Sequence, residues 1–261
     1  MTERPGLAVI TGAARGIGAA VAGRLGEQGW SLLLVDACAD QVGIDYAMPA
    51  PTDLERVAAE SAAAGADSVE VLRSDVGSAD FASALTGALE GRSPAAAVAA
   101  AGVIAGGPAW GTSEEAWASL LNVNLHGTRR LAEATVPAMV QAGRGRFVAI
   151  ASAAALRAMP QLAAYSAAKA ATVGFVRALA GDLAGTGVSA NAICPGSTRG
   201  VMLAASAEVY DLTGEEDFAS QHLIRRLIEP SEVAEAVAWL CGPAASALTG
   251  AVLPVDGGLT A

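Results

Sequence analysis

LAVITGAARGIG, residues Leu7–Gly18, passes from a short apolar strand pattern through a glycine-rich turn into an Ala/Leu-rich helix. Gly12, Gly16 and Gly18 stand at that strand-turn-helix junction. Glycines there permit a tight turn and a close backbone approach. The helix start then offers amides and a positive dipole end to a phosphate. Arg15 and Ile17 lie inside the same turn and join the candidate cofactor contacts. The next strand pattern, Trp30–Val35, closes on Asp36, roughly 20 residues beyond the turn. A carboxylate at that point can accept the two ribose hydroxyls of an adenine nucleotide and would repel an added 2′-phosphate, which favours NAD over NADP. Arg15 weakens that exclusion, because an arginine can meet a phosphate.

Outward from this unit, strand and helix patterns alternate. Helix patterns cover 53–64, 79–89, 113–139 (interrupted by Asn122 and Asn124), 163–183 and 230–240. Strand patterns fall at 68–73, 95–102, 146–152, 189–193 and 250–255. The alternation predicts an α/β three-layer fold: a mainly parallel central sheet with helices on both faces, built as a single domain over 1–261. A dinucleotide would lie beyond the carboxyl ends of the strands. Residues 38–52 interrupt the rhythm with a connection longer than usual. The insertion follows the ribose acid and so could fold over the adenosine end of a cofactor; a surface decoration is the alternative. Asp75 offers an acceptor to adenine or a cap to the next helix.

Tyr165 and Lys169 are four residues apart in a helical pattern, so they share a face. An ammonium beside a phenol favours phenolate and lowers a pKa normally near 10. A tyrosine so tuned can exchange a proton with an alcohol or carbonyl. Ser152 ends the buried-strand pattern FVAIAS and offers a hydroxyl to a substrate oxygen. The turn Pro195–Gly196–Ser197–Thr198 offers amides and hydroxyls to nicotinamide. Residues 200–228 read as a substrate cover, with Met202, Leu203, Tyr210, Phe218 and Leu223 as candidate pocket walls.

Composition narrows the partners. A net charge of −10 argues against nucleic acid and acidic lipid. No run has the length of a membrane span, and no signal-like order opens the chain, so a cytoplasmic protein is expected. Three widely spaced cysteines, Cys38, Cys194 and Cys241, give no disulfide framework, and two histidines make a zinc site unexpected.

With these motifs in order, the sequence resembles the classical short-chain dehydrogenase/reductase family over nearly its whole length. The resemblance implies a Rossmann-like fold. It carries Thr11–Gly18 over as the cofactor turn, Asp36 as the NAD-selecting acid and Asp75–Val76 as the adenine-contact pair. Asn124, Ser152, Tyr165 and Lys169 match the family's catalytic tetrad, and Pro195–Gly196 its nicotinamide-side turn. Two positions depart from the pattern. The family's Asn-Ala-Gly after strand four is Ala100–Ala101–Gly102 here, leaving backbone contacts only. Gly200 stands where threonine is frequent, so the lost hydroxyl contact either loosens the nicotinamide amide or is replaced by Ser197 or Thr198. A closer likeness is to the mycofactocin-coupled branch, in VDACADQVGIDYAMPAPTDL (35–54), AGVIAGG (101–107) and NAICPGSTRGVMLAASAEVY (191–210). That likeness implies an insertion, with Cys38 among the cofactor contacts, that retains a nonexchanging NAD. Mycofactocin then takes the electrons.

The expected reaction is hydride transfer between a small apolar secondary alcohol and its ketone, without metal. Tyr165 is the acid/base, Lys169 its partner and the ribose ligand, Ser152 the substrate anchor, and Asn124 the holder of a relay water. The alternatives are an ordinary dehydrogenase that exchanges NAD(H) freely and a nonenzymatic NAD-binding scaffold. The resemblance further implies a homotetramer built through helices around 113–142 and 160–184.

Overall fold

The structure, a computed structural model, describes residues 5–261. One sheet contains β1 (Leu7–Thr11), β2 (Ser31–Asp36), β3 (Ser68–Arg73), β4 (Ala96–Ala99), β5 (Gly145–Ile150), β6 (Val188–Pro195) and β7 (Val252–Val255). Their order is β3-β2-β1-β4-β5-β6-β7, and every neighbouring pair is parallel. All residues of β1, β4 and β6 are buried, which is why their sequences run apolar without alternation. The two edges differ. β3 is largely exposed and carries Glu70, ion-paired to Arg92. β7 contains Pro254, whose missing N–H is tolerable in a strand with a single neighbour.

The helices are α1 (Gly16–Glu27), α2 (Pro51–Ala64), α3 (Phe81–Leu89), α4 (Glu114–Leu121), α5 (Gly127–Ala142), α6 (Ala163–Asp182), α7 (Val201–Val209) and α8 (Pro230–Cys241). Val21, Leu25, Leu54, Val57, Val233 and Val237 bring α1, α2 and α8 onto one face of the sheet. Phe81, Leu85, Leu120, Leu131, Val173 and Val176 bring α3 to α6 onto the other. The three-layer Rossmann-like arrangement follows. β1 has β2 on one side and β4 on the other, so the chain reverses its direction of travel across the sheet there and leaves a crevice beyond the strand ends.

Local departures from the sequence patterns have physical causes. The helix read across 113–139 is divided by a π turn at Asn122–His126. There the Asn124 amide donates to the carbonyls of Leu120 and Val103, each at 2.9 Å, and competes with regular main-chain bonding. α2 begins at Pro51, ahead of the expected Asp53; proline suits the first turn, and the Asp53 carboxylate accepts the Ala50 N–H at 2.8 Å. β7 begins at Val252 and not at Gly250. The cover has a small core of its own, formed by Leu203, Ala207, Phe218 and Leu227.

Candidate functional site

A cavity of about 660 Å³ opens beyond the strand ends, between the glycine turn and the cover. Gly12 at the β1 exit has φ +67°, and a Cβ there would stand 2.6 Å from the Ala101 main chain. A Cβ on Gly18 would fall on the carbonyl of Gly12. The turn therefore needs both glycines to close against itself and against the β4 exit. Gly16 faces open space on its Cβ side, as a backbone approached by a phosphate requires. These features fit a dinucleotide.

Asp36 lines the same end of the cavity. Its carboxylate accepts the main-chain N–H groups of Ala14 and Cys38, each at 3.1 Å, so it also fixes the glycine turn. Asp75 accepts from Gly77 N and from Gln41 Nε2. Asn122 donates to Gly77 O, and Arg130 donates to Val76 O, both at 2.9 Å, which holds the Asp75–Val76 corner.

The insertion crosses the mouth as a strap. Arg15 Nη1 donates to Ala47 O at 2.7 Å, and its guanidinium lies 5.6 Å from the centre of the Tyr46 ring. Tyr46 OH accepts the Ile104 N–H at 3.0 Å, and Ser119 donates to Val42 O at 2.6 Å. The strap thus engages Arg15, the residue that sequence alone left facing an added phosphate.

At the other end, β5 ends two residues before Ser152, and α6 presents Tyr165 and Lys169 to the same space. The Ser152 hydroxyl accepts from Ala154 N at 3.1 Å and also interacts with the Tyr165 phenol. Lys169, 3% exposed, donates from Nζ to Ile150 O at 2.8 Å and stands 5.8 Å from the centre of the Tyr165 ring. Burial pushes the Tyr165 phenol up to about 12 and the Lys169 ammonium down to about 8. The expected lowering of the phenol pKa is therefore corrected: burial outweighs the relief from Ser152, and the ammonium spends a donor on the β5 exit.

A family model described as enoyl-(acyl carrier protein) reductase matches residues 12–260. The fold superposes on carveol dehydrogenase from Mycobacterium avium in complex with NAD, with a TM-score of 0.91, 28% identity, and coverage of 97% of this chain and 96% of that one. The cis-4-hydroxycyclohexanecarboxylate dehydrogenase of Sinomonas cyclohexanicum is 34% identical over 98% of this chain and 96% of its own. The D-threitol dehydrogenase of Mycolicibacterium smegmatis is also 34% identical, over 97% and 92%. The chain is a classical short-chain dehydrogenase/reductase. It is an NAD-dependent oxidoreductase acting on small organic substrates.

This short-chain dehydrogenase/reductase brings most sequence-predicted residues to one cavity. Gly12, Arg15, Gly16, Ile17, Gly18, Asp36, Asp75, Val76, Ala100, Ala101 and Gly102 line it, as do Ser152, Tyr165, Lys169 and Pro195–Thr198. Met202, Leu203, Tyr210 and Phe218 form the cover side. Three residues are placed elsewhere. Leu223 is 71% exposed and packs by Gly258, outside the cavity. Cys38 turns its side chain into the core beside α1 and α2 and gives only its N–H to Asp36. Asn124 is fully buried one layer behind the wall, where its amide closes the Val103 loop on both the N–H and the carbonyl. Its Oδ1 and Lys169 Nζ lie 2.9 and 3.4 Å from the point a Gly102 Cβ would occupy, so a side chain at Gly102 would press on the Asn124 amide. Gly200 N–H donates to Glu215 at 3.3 Å, which ties the start of α7 to the cover.

Sequence reasoning missed Gln41, Met48, Ile104, Arg157 and Gln221 in the wall. It also passed over a countable signal: Lys169 is the only lysine in the chain. Among the described residues no cluster of His, Cys, Asp or Glu is placed to hold a metal, and no helix is long and apolar enough to cross a membrane.

Asp36→Asn replaces one acceptor by an NH₂ facing a main-chain N–H and removes the charge opposed to a 2′-phosphate. Calorimetric titration should show weaker NAD binding and a preference for NAD over NADP reduced by about tenfold or more.

Proposed function

We propose that this enzyme oxidises small, largely apolar secondary alcohols to ketones, and the reverse, with NAD retained under the strap formed by the 38–52 insertion and electrons passed on to mycofactocin. The observation that carries the reading is the cavity itself. The glycine turn and Asp36, the acid/base candidate Tyr165, and the apolar cover residues Met202, Leu203, Tyr210 and Phe218 all line this one space.

In alcohol oxidation Ser152 Oγ and Tyr165 Oη hold the substrate oxygen, and Tyr165 takes its proton. In carbonyl reduction Tyr165 returns the proton. Bound NAD supplies the hydride acceptor or donor. Lys169 binds the nicotinamide ribose and stabilises the phenolate as charge develops. Asn124 completes the relay by positioning a water that connects Lys169 to solvent. The cover excludes water: Tyr210 OH donates to Pro160 O at 2.6 Å, and its ring meets Phe218 edge-on at 5.9 Å.

Retention is supported by the strap's four anchor points, on Arg15, Asp75, Ile104 and Ser119. The link to mycofactocin rests on the sequence likeness. Under this reading, exhaustively dialysed protein still yields nicotinamide nucleotide on denaturation. It also oxidises alcohol anaerobically when an artificial electron acceptor is supplied. Complete loss of nucleotide, with full activity on free NAD alone, would instead identify a freely exchanging enzyme. Combining Arg15→Ala with Tyr46→Phe removes two ties and should speed nucleotide release by about tenfold or more. Pairing through α4, α5 and α6 gives the proposed homotetramer, which light scattering tests.

A further inference from the structure

His222 follows the 3-10 turn Glu215–Gln221 of the cover and is 1% exposed. It does not line the cavity, whereas Gly196 and Ser197 do. The imidazole lies behind that turn, and its Nε2 accepts the Ser197 N–H at 3.1 Å. The packing is close: a Cβ on Gly196 would stand 2.8 Å from Nε2 and 2.9 Å from the Asp256 main chain. Ser197 is held from its other side too, because its carbonyl accepts the Ile228 N–H at 3.0 Å. An imidazole that accepts at Nε2 is neutral and carries its proton on Nδ1. That buried nitrogen faces the main chain of Phe218 and Ala219 without closing a hydrogen bond of good geometry. The ring's one strong polar contact is therefore the bond to Ser197.

We propose that His222 is a positioning residue for the nicotinamide, its Nε2 lone pair fixing the Pro195–Thr198 turn and coupling that turn to the substrate cover. The proposal rests on the reading of this turn as the nicotinamide side. Phe218, four residues before His222, lines the substrate half of the cavity, so cover and cofactor site share one rigid connection. Protonation removes the acceptor. Asp256 is the charged group acting on the ring, and its carboxylate is already engaged by Gly258 N, Thr260 N and the Thr260 hydroxyl. Arg225 and Arg226 of the same segment turn to Ser220, Leu227 and Glu232. Burial holds the ring's pKa below its usual 6.5. The neutral anchor is thus fully present above 6.5 and is lost as pH falls through that lowered value.

The test compares binding of NAD and ADP-ribose, which lacks nicotinamide, to protein freed of nucleotide by charcoal. His222→Leu removes the acceptor and should cut NAD affinity by about tenfold, leaving ADP-ribose within about twofold. His222→Gln keeps an acceptor and should restore NAD affinity. The wild-type preference for NAD over ADP-ribose should fall in acid, and that of His222→Gln should stay level. If His222→Leu does not fold, the acid profiles of wild type and His222→Gln decide alone. Equal acid profiles, or equal losses in the Leu and Gln variants, would overturn the proposal. Thr198→Val controls the underlying reading: no change in NAD relative to ADP-ribose there means that this turn does not meet nicotinamide, a failure distinct from that of His222.

Discussion

Tyr165→Phe should lower turnover by about 10²–10⁴-fold while NAD affinity stays within about twofold, because the substitution deletes one oxygen and no part of the nucleotide end. The ring remains in place between β5 and α6, where it is 8% exposed. Ser152 keeps its Ala154 N–H partner, so the wall survives. The direction of the pH dependence follows from the buried phenol, raised to about 12. At neutral pH Tyr165 is protonated and ready to donate to a carbonyl, so reduction needs no prior proton loss. Alcohol oxidation requires the phenolate and should accelerate as pH rises through the alkaline range. Steady-state rates in both directions on one alcohol/ketone pair check this. Equal pH profiles in the two directions, or substantial turnover in the Phe variant, would remove Tyr165 from its role.

Lys169→Met should separate stability from function. In the fold the ammonium's pKa is about 8, against 10.5 for a free lysine, and burial is the chief cause. The folded state therefore holds fewer protons than the unfolded chain between those values. The stabilising contribution is complete above 10.5 and is lost as pH falls through 8, a linkage worth roughly 3 kcal/mol. Methionine fills a similar volume without a charge to desolvate, at the cost of leaving Ile150 O unbonded. Relative to wild type, the nucleotide-free variant should be favoured most at pH 7 and progressively less from pH 8 to 10.5. Denaturant titrations across that range measure the gap. Turnover should meanwhile collapse, since the partner of the phenolate is gone. A gap that does not move with pH would show that Lys169 is not desolvated as described. The titration is also readable directly: with one lysine in the chain, biosynthetic isotope labelling of lysine gives a single side-chain signal, that of Lys169.

The fold was legible because the central strands are buried on both faces. LAVIT, SLLLV and the Ala-rich run at β4 are too short and too uniformly apolar for surface helices, and each is punctuated by glycine or an acid at its carboxyl end. The glycine turn was legible for a steric reason: Gly12 and Gly18 admit no side chain. Spacing and family likeness pointed to Ser152, Tyr165 and Lys169 as neighbours, and all three line one cavity, but their electrostatics were not legible. Four residues of helix place Lys169 near Tyr165, yet only the packed structure reveals that Nζ bonds to Ile150 O and that burial dominates both groups. The pocket wall was partly legible. Hydrophobic letters in the cover included Leu223, which packs outward, and left out the polar Gln41, Arg157 and Gln221. His222 carried no signal in sequence, since its partner is a main-chain N–H 25 residues away.

The central proposal is hydride transfer to or from bound NAD with Tyr165 handling the proton. The most direct measurement is the absorbance of reduced nicotinamide in NAD-loaded protein mixed anaerobically with a panel of secondary alcohols, wild type beside Tyr165→Phe. The predicted result is reduction of the bound cofactor by at least one apolar alcohol in the wild type, and slowing by two orders of magnitude or more in the variant. NAD demonstrably bound with no reduction by any alcohol, or reduction at equal rates in both proteins, would contradict it.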